Sequence, residues 1–278
     1  MTRRGAAVLG RPIAHSLSPV LHRAAYEALG LSGWTYRAVD CGIDELAETV
    51  HVLADEGLAG LSLTMPLKRA VLPMLGEVDK WAEAIAAANT VLFGPDGGWR
   101  GANTDVVGMV QVLNSAGVDP RGRSEGQPWV LGAGATARSA LAALSAIGYR
   151  SVTVAARRPE AVDELGDLGG RLGVEVHRGE WDVAQAVCSA PLVMATTPAG
   201  STDLLADAVR TPRGLLVDVV YAPWPTALAQ AWSGAGGRTV GGLELLIEQA
   251  AEQVRLMTGR TPPTAEMRQA GYRALGGS

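Results

Sequence analysis

Short apolar runs alternate with amphipathic or alanine-rich stretches along most of the chain, which is typical of β-strands connected by helices. The clearest example is an apolar run at residues 128–131, a Gly- and Ala-rich turn, an alanine-rich stretch to about residue 147, and a second apolar run at residues 151–155. Runs of this length bounded by turns are typical of buried strands in a parallel sheet. The pattern therefore predicts a βαβ unit.

The same alternation predicts further elements on both sides of this unit. Before it, we predict strands at residues 6–9, 34–39, 61–63 and 89–93 and helices at residues 18–29, 44–56 and 105–116. After it, we predict strands at residues 192–195 and 215–219 and helices at residues 243–257 and 264–274. Ser18 is a candidate N-cap of the helix at residues 18–29, with Pro19 at the first helical position. Asp105 is a candidate N-cap of the helix at residues 105–116. This order predicts an α/β fold with two domains, the second a doubly wound, Rossmann-type domain.

The turn inside the βαβ unit has the G-x-G-x-x-A pattern of dinucleotide-binding proteins, Gly132-Ala133-Gly134-Ala135-Thr136-Ala137. The first glycine permits a tight turn, the second lets a pyrophosphate approach the backbone, and the alanine lets the helix pack close to the strand. The phosphates then bind the unpaired N–H groups at the helix N-terminus. The bare pattern arises by chance in Gly- and Ala-rich chains of the actinobacterial kind, but here it lies between a strand and a helix. We therefore expect these six residues to form a nucleotide site.

The residues after the second strand indicate which nucleotide binds. NAD sites place an Asp or Glu there to accept from the ribose 2′-hydroxyl. This chain has Ala155-Ala156-Arg157-Arg158 instead. A guanidinium offers fixed donors to phosphate oxygens, so Arg157 and Arg158 favour the 2′-phosphate of NADP(H). The alternative is a solvated basic turn that opens the next helix at Pro159.

Composition narrows the classes of protein and ligand. The 278 residues are 47% hydrophobic and 19% charged, which is enough for a packed core. A net charge of −4 argues against a nucleic-acid partner. Cys41 and Cys188 are too few and too separated for a metal site or a disulfide framework. The first residues lack a signal-peptide core and no apolar run reaches membrane-spanning length, so we expect a cytoplasmic protein without a membrane partner.

Lysine is rare in this chain, which draws attention to the two positions that have it. Of 24 basic residues only Lys68 and Lys80 are lysines, so 22 are arginines. Arginine is permanently protonated, whereas lysine can release and regain a proton. Lys80 lies beside Asp79 in a polar stretch and is interpreted as a surface residue. Lys68 follows a strand end, where it is a candidate for proton transfer.

Several motifs follow one another in a family-specific order. They are residues 10–19 (GRPIAHSLSP), 63–68 (LTMPLK), 88–90 (ANT), 103–105 (NTD), the glycine turn, 218–223 (DVVYAP), and 241–243 (GGL) leading to Gln249. Together they closely resemble the shikimate dehydrogenase family, and the resemblance covers nearly the whole chain. Enzymes of this family reduce 3-dehydroshikimate to shikimate with NADPH, in the chorismate pathway to the aromatic amino acids.

The resemblance implies an architecture and a division of the chain. Residues 1–106 would form a substrate-binding catalytic domain, residues 107–240 the NADP-binding domain, and residues 241–278 helices that return to the substrate domain. It also implies a site in the cleft between the domains. The protein is expected to act on the small molecules shikimate and 3-dehydroshikimate as a monomer or homodimer.

The resemblance also implies a role for individual residues. Lys68 and Asp105 match the family's catalytic pair, which handles the proton exchanged with the substrate. Ser16 and Ser18 would take the substrate carboxylate. The ring hydroxyls would be bound by Thr64, Asn89, Asn103, Tyr221 and Gln249. Further cofactor contacts are expected from Thr197, Val219 and Gly241.

The chain departs from the family's usual pattern in places, and related activities stay open. Ser62-Leu63 stands where Asn-Val commonly precedes the threonine, and Ala156 stands where an asparagine often precedes the arginine. The alternatives are a quinate or aminoshikimate dehydrogenase and a non-enzymatic NADP-binding regulator. The presence of both Lys68 and Asp105 disfavours the regulator. Relatives that use quinate tend to have threonine at the position of Ser18, so serine there favours shikimate.

Overall fold

The computed structural model describes residues 5–118, 126–181 and 184–276. Its strands are β1 Gly5–Gly10, β2 Thr35–Asp40, β3 Gly60–Leu63, β4 Glu77–Val78, β5 Thr90–Phe93, β6 Trp99–Ala102, β7 Trp129–Leu131, β8 Ser151–Ala155, β9 Glu175–Gly179, β10 Leu192–Ala195, β11 Leu215–Asp218 and β12 Arg238–Val240. Its α-helices are α1 Ser18–Ala28, α2 Leu46–Asp55, α3 Leu67–Ala70, α4 Lys80–Ile85, α5 Thr104–Ser115, α6 Ala135–Ala146, α7 Pro159–Leu172, α8 Ala184–Ser189, α9 Asp203–Ala206, α10 Ala227–Gly234, α11 Gly242–Thr258 and α12 Thr264–Ala274. Among the described residues, no helix combines the length and apolar character needed to cross a lipid bilayer.

The chain divides into two compact units, which confirms the two-domain α/β prediction. The first unit comprises the described residues up to Gly108 and from Leu246 onward, and the second runs from Met109 to Leu245. All strands predicted from the sequence are present, with ends that differ by at most one residue. The observed range of α12 is the predicted one, and the ends of the other predicted helices differ from the prediction by at most two residues.

The first unit is built on a mixed sheet with the strand order β2-β1-β3-β5-β6-β4. β1 pairs in parallel with β2 and β3, while β5 runs antiparallel to both β3 and β6. Leu9 and Leu61 on the central strands and Leu67 and Val91 nearby are fully or almost fully buried in one apolar core. This core fixes the carboxyl end of β3, after which the loop to Lys68 begins.

The second unit contains a parallel six-stranded sheet with the order β12-β11-β10-β7-β8-β9. Numbered within the unit, this is the 3-2-1-4-5-6 order of a dinucleotide-binding fold. The central strands β10 and β11 are buried along their whole length, as expected for strands covered by helices on both faces. The Rossmann-type prediction is therefore confirmed.

Two predicted helix caps are wrong. α1 already includes Ser18 as its first residue, and its N-cap is Leu17, which makes no side-chain capping bond. The helix is instead begun by Pro19, whose missing N–H costs nothing in the first turn. At α5 the cap is Asn103, whose Oδ1 accepts from the Val106 N–H at 3.3 Å, so Asp105 lies inside the first turn. Asp105 thus has a carboxylate that is not used for capping.

Candidate active site

The loop between β3 and α3 holds Lys68 by backbone hydrogen bonds. The Thr64 N–H donates to the Leu9 carbonyl at 2.9 Å, which ties the loop to β1. The Leu67 N–H then donates to the Thr64 carbonyl at 2.8 Å and begins the short helix α3. The carbonyl of Lys68 accepts from the Ala88 N–H at 2.8 Å. The backbone of Lys68 is thus fixed from both sides.

The start of α5 presents Asp105 to this lysine. Lys68 Nζ lies 2.6 Å from Asp105 Oδ2, and the two side chains are 24% and 18% exposed. A pair with this partial exposure is screened less by solvent than a surface pair. The first-turn position of Asp105 also favours its negative charge, because the N-terminal end of a helix carries a partial positive charge. Lys68 and Asp105 therefore form a close ammonium–carboxylate pair whose side chains remain partly exposed to solvent.

Asn89 and Gln249 surround the other side of the carboxylate. Asn89 Nδ2 donates to Asp105 Oδ1 at 2.9 Å, so each carboxylate oxygen has its own donor. The same amide nitrogen lies 3.4 Å from Gln249 Oε1 on α11. Thr104, which the sequence analysis did not single out, donates its N–H to Asn89 Oδ1 at 2.8 Å. The structure thus brings four of the predicted residues, Lys68, Asp105, Asn89 and Gln249, into one cluster.

The two predicted carboxylate-binding serines lie together at the start of α1. Ser16 Oγ accepts from the Ser18 N–H at 3.3 Å. Ser16 is half-buried and Ser18 is buried. Thr64, also half-buried, lies against Gly10 at the end of β1, since a Cβ added to Gly10 would overlap its methyl group.

Asn103 and Tyr221 differ from the other predicted substrate residues. Asn103 is buried and donates its amide to the Ala87 carbonyl at 2.8 Å, in addition to capping α5. Tyr221 belongs to the second unit and is half-buried, and burial raises the pKa of its hydroxyl. The polar atoms of Asn103 are therefore used largely to build the turn that carries Asp105.

The second unit contains a cavity of about 500 Å³ at the glycine turn. It is lined by Gly132, Ala133, Gly134, Ala156, Arg157, Arg158, Ala161, Trp181, Thr196, Thr197 and Pro198. Both predicted arginines are exposed here. Val219 and Gly241 lie outside this lining, and Ala137 is fully buried in α6.

The cavity is suited to a dinucleotide. Gly132 has φ +107°, which favours glycine, and a Cβ there would come within 2.8 Å of Thr196 Oγ1. Gly134 is different, because a Cβ there would meet no atom within 4 Å. The open space above Gly134 is where a pyrophosphate would approach the helix N-terminus. Trp181, which the sequence analysis missed, adds an aromatic side chain to the lining; the signal was weak, since a lone tryptophan in a polar loop matches no motif.

Comparison with known proteins places this geometry in a family. Residues 8–91 match the family model of the shikimate dehydrogenase substrate binding domain, and residues 242–270 match that of the shikimate 5′-dehydrogenase C-terminal domain. A relative named shikimate dehydrogenase (NADP(+)) from Synechococcus sp. (strain JA-3-3Ab) is 36% identical over 96% of this chain and 93% of its own length.

Solved structures extend the similarity to the whole fold. The shikimate dehydrogenase of Mycobacterium tuberculosis is 39% identical, with a TM-score of 0.87, and the match covers 98% of this chain and 99% of the other. The enzyme of Thermus thermophilus, solved in complex with NADP(H) and shikimate, is 34% identical with a TM-score of 0.85, over 98% of this chain and 100% of the other. Identity at this level over almost the full length, together with the Lys68–Asp105 cluster and the glycine-turn cavity, shows that the chain belongs to the shikimate dehydrogenase family.

Proposed function

We propose that this protein catalyses the reversible NADPH-dependent reduction of 3-dehydroshikimate to shikimate, a step in the biosynthesis of chorismate and the aromatic amino acids. The activity is the one named for its relatives. The observation that carries the proposal for this chain is the 2.6 Å contact between Lys68 Nζ and Asp105 Oδ2.

Lys68 and Asp105 handle the proton of the reaction. NADPH, when bound, supplies the hydride that reduces the C3 carbonyl carbon. The carbonyl oxygen then gains negative charge, and the Lys68 ammonium stabilises that charge and supplies the proton. Asp105 orients the ammonium and shares its proton. In the oxidative direction the same pair removes the proton from the C3 hydroxyl. Assistance of this kind is worth about 10²–10⁴-fold in rate.

Asp105 is oriented by donors on both of its oxygens. Lys68 donates to Oδ2 and Asn89 to Oδ1, which fixes the plane of the carboxylate. An oriented charged pair has little reorganisation left to undergo when charge develops on the substrate.

Further polar residues bind the substrate. Ser16 and Ser18 offer hydroxyls and a helix N-terminus to the carboxylate. The ring hydroxyls are bound by Thr64, Asn89, Asn103, Tyr221 and Gln249. Ser18 favours shikimate over quinate.

The second unit binds NADP(H). Gly134 leaves the space that the pyrophosphate requires, and the backbone N–H groups of Ala135, Thr136 and Ala137 in the first turn of α6 would bind its oxygens. Arg157 and Arg158 bind the 2′-phosphate through charge-assisted hydrogen bonds. Thr197, Val219 and Gly241 complete the cofactor contacts.

We also propose which parts of the chain bind the substrate and the cofactor, where the protein acts and its oligomeric state. Residues 1–106 and 241–278 act on the substrate, and residues 107–240 hold the cofactor. The protein acts in the cytoplasm as a monomer or homodimer.

A double-mutant cycle tests the proton-handling pair. Lys68→Ala should lower kcat by at least about 10²-fold while KM for shikimate changes far less, because the interaction matters mainly in the transition state. Lys68→Arg should not restore kcat, since a guanidinium cannot cycle its proton at neutral pH. Asp105→Asn should also lose kcat, and the double variant should lose much less than the product of the two single losses.

Lys80 provides a matched control. It is exposed at the start of α4, with Nζ 4.6 Å from the ring centre of Trp81. Lys80→Ala should leave kcat unchanged. If the losses at Lys68 and Asp105 appear only in KM and multiply independently, both residues are substrate anchors and the proton comes from another group.

A further inference from the structure

A chain of buried hydrogen bonds leads away from the Lys68–Asp105 pair into the first unit. Gln253 on α11 is its central member, one helical turn after Gln249 and 1% exposed. Gln253 Oε1 accepts from Ser62 Oγ at 2.8 Å. Its Nε2 lies 3.0 Å from Thr90 Oγ1 and 3.3 Å from the backbone carbonyl of Asn89. Gln253, Thr90 and Ser62 are not among the residues proposed to bind the substrate or the cofactor.

The direction of each bond in this chain is fixed by chemistry. A backbone carbonyl can only accept, so the amide of Gln253 must turn its NH₂ group towards Asn89. Thr90 Oγ1 therefore accepts from Gln253. The single hydroxyl proton of Thr90 is then donated to Asn89 Oδ1, at 2.9 Å.

The same logic fixes the amide of Asn89. Its Oδ1 receives both the Thr90 hydroxyl and the Thr104 N–H, so its NH₂ group must face the other way. On that side Asn89 Nδ2 donates to Asp105 Oδ1 at 2.9 Å. Gln253 thus donates to Thr90, Thr90 donates to Asn89, and Asn89 donates to Asp105.

We infer that Gln253 is a positioning residue for the reaction. Through Thr90 it holds the Asn89 amide in the orientation that donates to Asp105. The Asp105 carboxylate is thereby kept aligned with Lys68. This inference rests on the proposed role of Lys68 and Asp105. The side chain of Gln253 bonds to Ser62, Thr90 and the Asn89 carbonyl rather than to Lys68 or Asp105. It acts through Asn89, by one bond to the Asn89 carbonyl and one through the Thr90 hydroxyl.

Near-isosteric substitutions separate this role from packing. Thr90→Val keeps the shape and removes the hydroxyl, and Gln253→Met keeps the length and removes the amide. Each should lower kcat by about 3- to 10-fold, the effect of one neutral hydrogen bond. Thr90→Ser, which restores the hydroxyl, should return kcat towards that of the unmodified enzyme.

Two controls show whether the effect passes through Asn89. Ser62→Ala removes the hydroxyl that donates to Gln253 on the side away from Asp105, where Tyr36 donates to Ser62, and should leave kcat unchanged. In an Asn89→Ala background, Gln253→Met should cause no further loss of kcat, whereas a residue that only supports the fold would add its own loss.

If Gln253→Met does not fold, the Thr90→Val variant still tests the role of Gln253. The inference is overturned if Thr90→Val keeps the kcat of the unmodified enzyme, if Ser62→Ala loses as much kcat as Gln253→Met, or if the losses of kcat at Gln253 and Asn89 multiply. A full kcat in Lys68→Ala would overturn the proposed function instead. A collapse of kcat in Lys68→Ala with no effect in Thr90→Val would overturn only the role of Gln253.

Discussion

A buried histidine makes the stability of the first unit depend on pH. His22 on α1 is fully buried, and its Nδ1 lies 2.9 Å from the Ser18 carbonyl. Because that carbonyl can only accept, Nδ1 carries the hydrogen. Nε2 has no hydrogen-bond partner among the described residues, and the ring stacks on Tyr36 with 3.9 Å between ring centres. Burial lowers the pKa of His22 to about 4.

The sign and size of the effect follow from this pKa. Between pH 6.5 and pH 4 the unfolded chain binds a proton at His22 and the folded chain does not, so the unfolded state gains stability as pH falls. The contribution of neutral His22 to the free energy of unfolding is fully present above the unfolded pKa of 6.5 and is lost progressively as the pH falls below it. At about 1.4 kcal/mol per pKa unit, the free energy of unfolding drops by about 3 kcal/mol in total. By pH 5 about 2 kcal/mol is lost, which raises the opening equilibrium constant about 30-fold.

Hydrogen exchange measured by mass spectrometry can resolve this change within the first unit. The opening constants of β1 and β2 amides, corrected for intrinsic exchange rates, are compared at pH 7.5 and pH 5. Amides of β10 in the second unit serve as a reference in the same sample. In His22→Asn, whose amide can still donate to the Ser18 carbonyl but does not titrate, the pH-dependent loss should shrink by about 2 kcal/mol.

An exposed histidine supplies the control. His15→Asn changes a solvent-exposed side chain and should retain the pH dependence of the unmodified protein. If His22→Asn and the unmodified protein lose the same protection between pH 7.5 and pH 5, the imidazole is not held neutral by burial and the argument fails.

Further predictions concern the cofactor cavity. Arg157→Ala should raise KM for NADP about 10- to 100-fold in steady-state assays and leave NAD use almost unchanged, since a charged contact is worth about 1.5–3 kcal/mol; an equal loss with both cofactors would show that Arg157 only supports the fold. Gly134→Ala should leave the thermal midpoint unchanged and weaken NADP binding in calorimetry, because a methyl group fits the free protein but occupies the space needed by the pyrophosphate. Gly132→Ala should lower the thermal midpoint even without cofactor, because φ +107° and the approach to Thr196 disfavour a side chain; the reverse pattern at the two glycines would contradict this assignment.

Buried strands could be predicted from the sequence because their apolar runs have no other explanation. β10 and β11 are buried throughout and were predicted almost to the residue. The edge strands β9 and β12 were missed, since most of their residues are polar or partly exposed and give no apolar run. β4 and β6 were missed for the same reason, because β4 is exposed and β6 begins with exposed or half-buried residues. Their pairing is set by neighbouring strands rather than by their own pattern.

Sequence motifs predict individual residues of the candidate site but not the hydrogen-bond network that joins them. The motifs around Asn89 and Asp105 identified both residues, yet the sequence could not show that the amide of one donates to the carboxylate of the other. Gln253 follows Gln249 by four residues on α11, and this spacing alone matches no motif. Its partners Ser62 and Thr90 are 191 and 163 residues away in the chain, so no local pattern could connect them.

The two lysines illustrate what the structure adds to composition. A chain that uses arginine for 22 of its 24 basic residues singles out its lysines but cannot rank them. The structure places Lys80 at the surface beside Trp81 and Lys68 against a carboxylate whose second oxygen already has a donor. An arginine at position 68 could satisfy that carboxylate equally well, and more rigidly. A salt bridge alone would therefore not require lysine, whereas proton exchange with a substrate oxygen would, and this is why the identity of residue 68 and the geometry of Asp105 support the same chemistry.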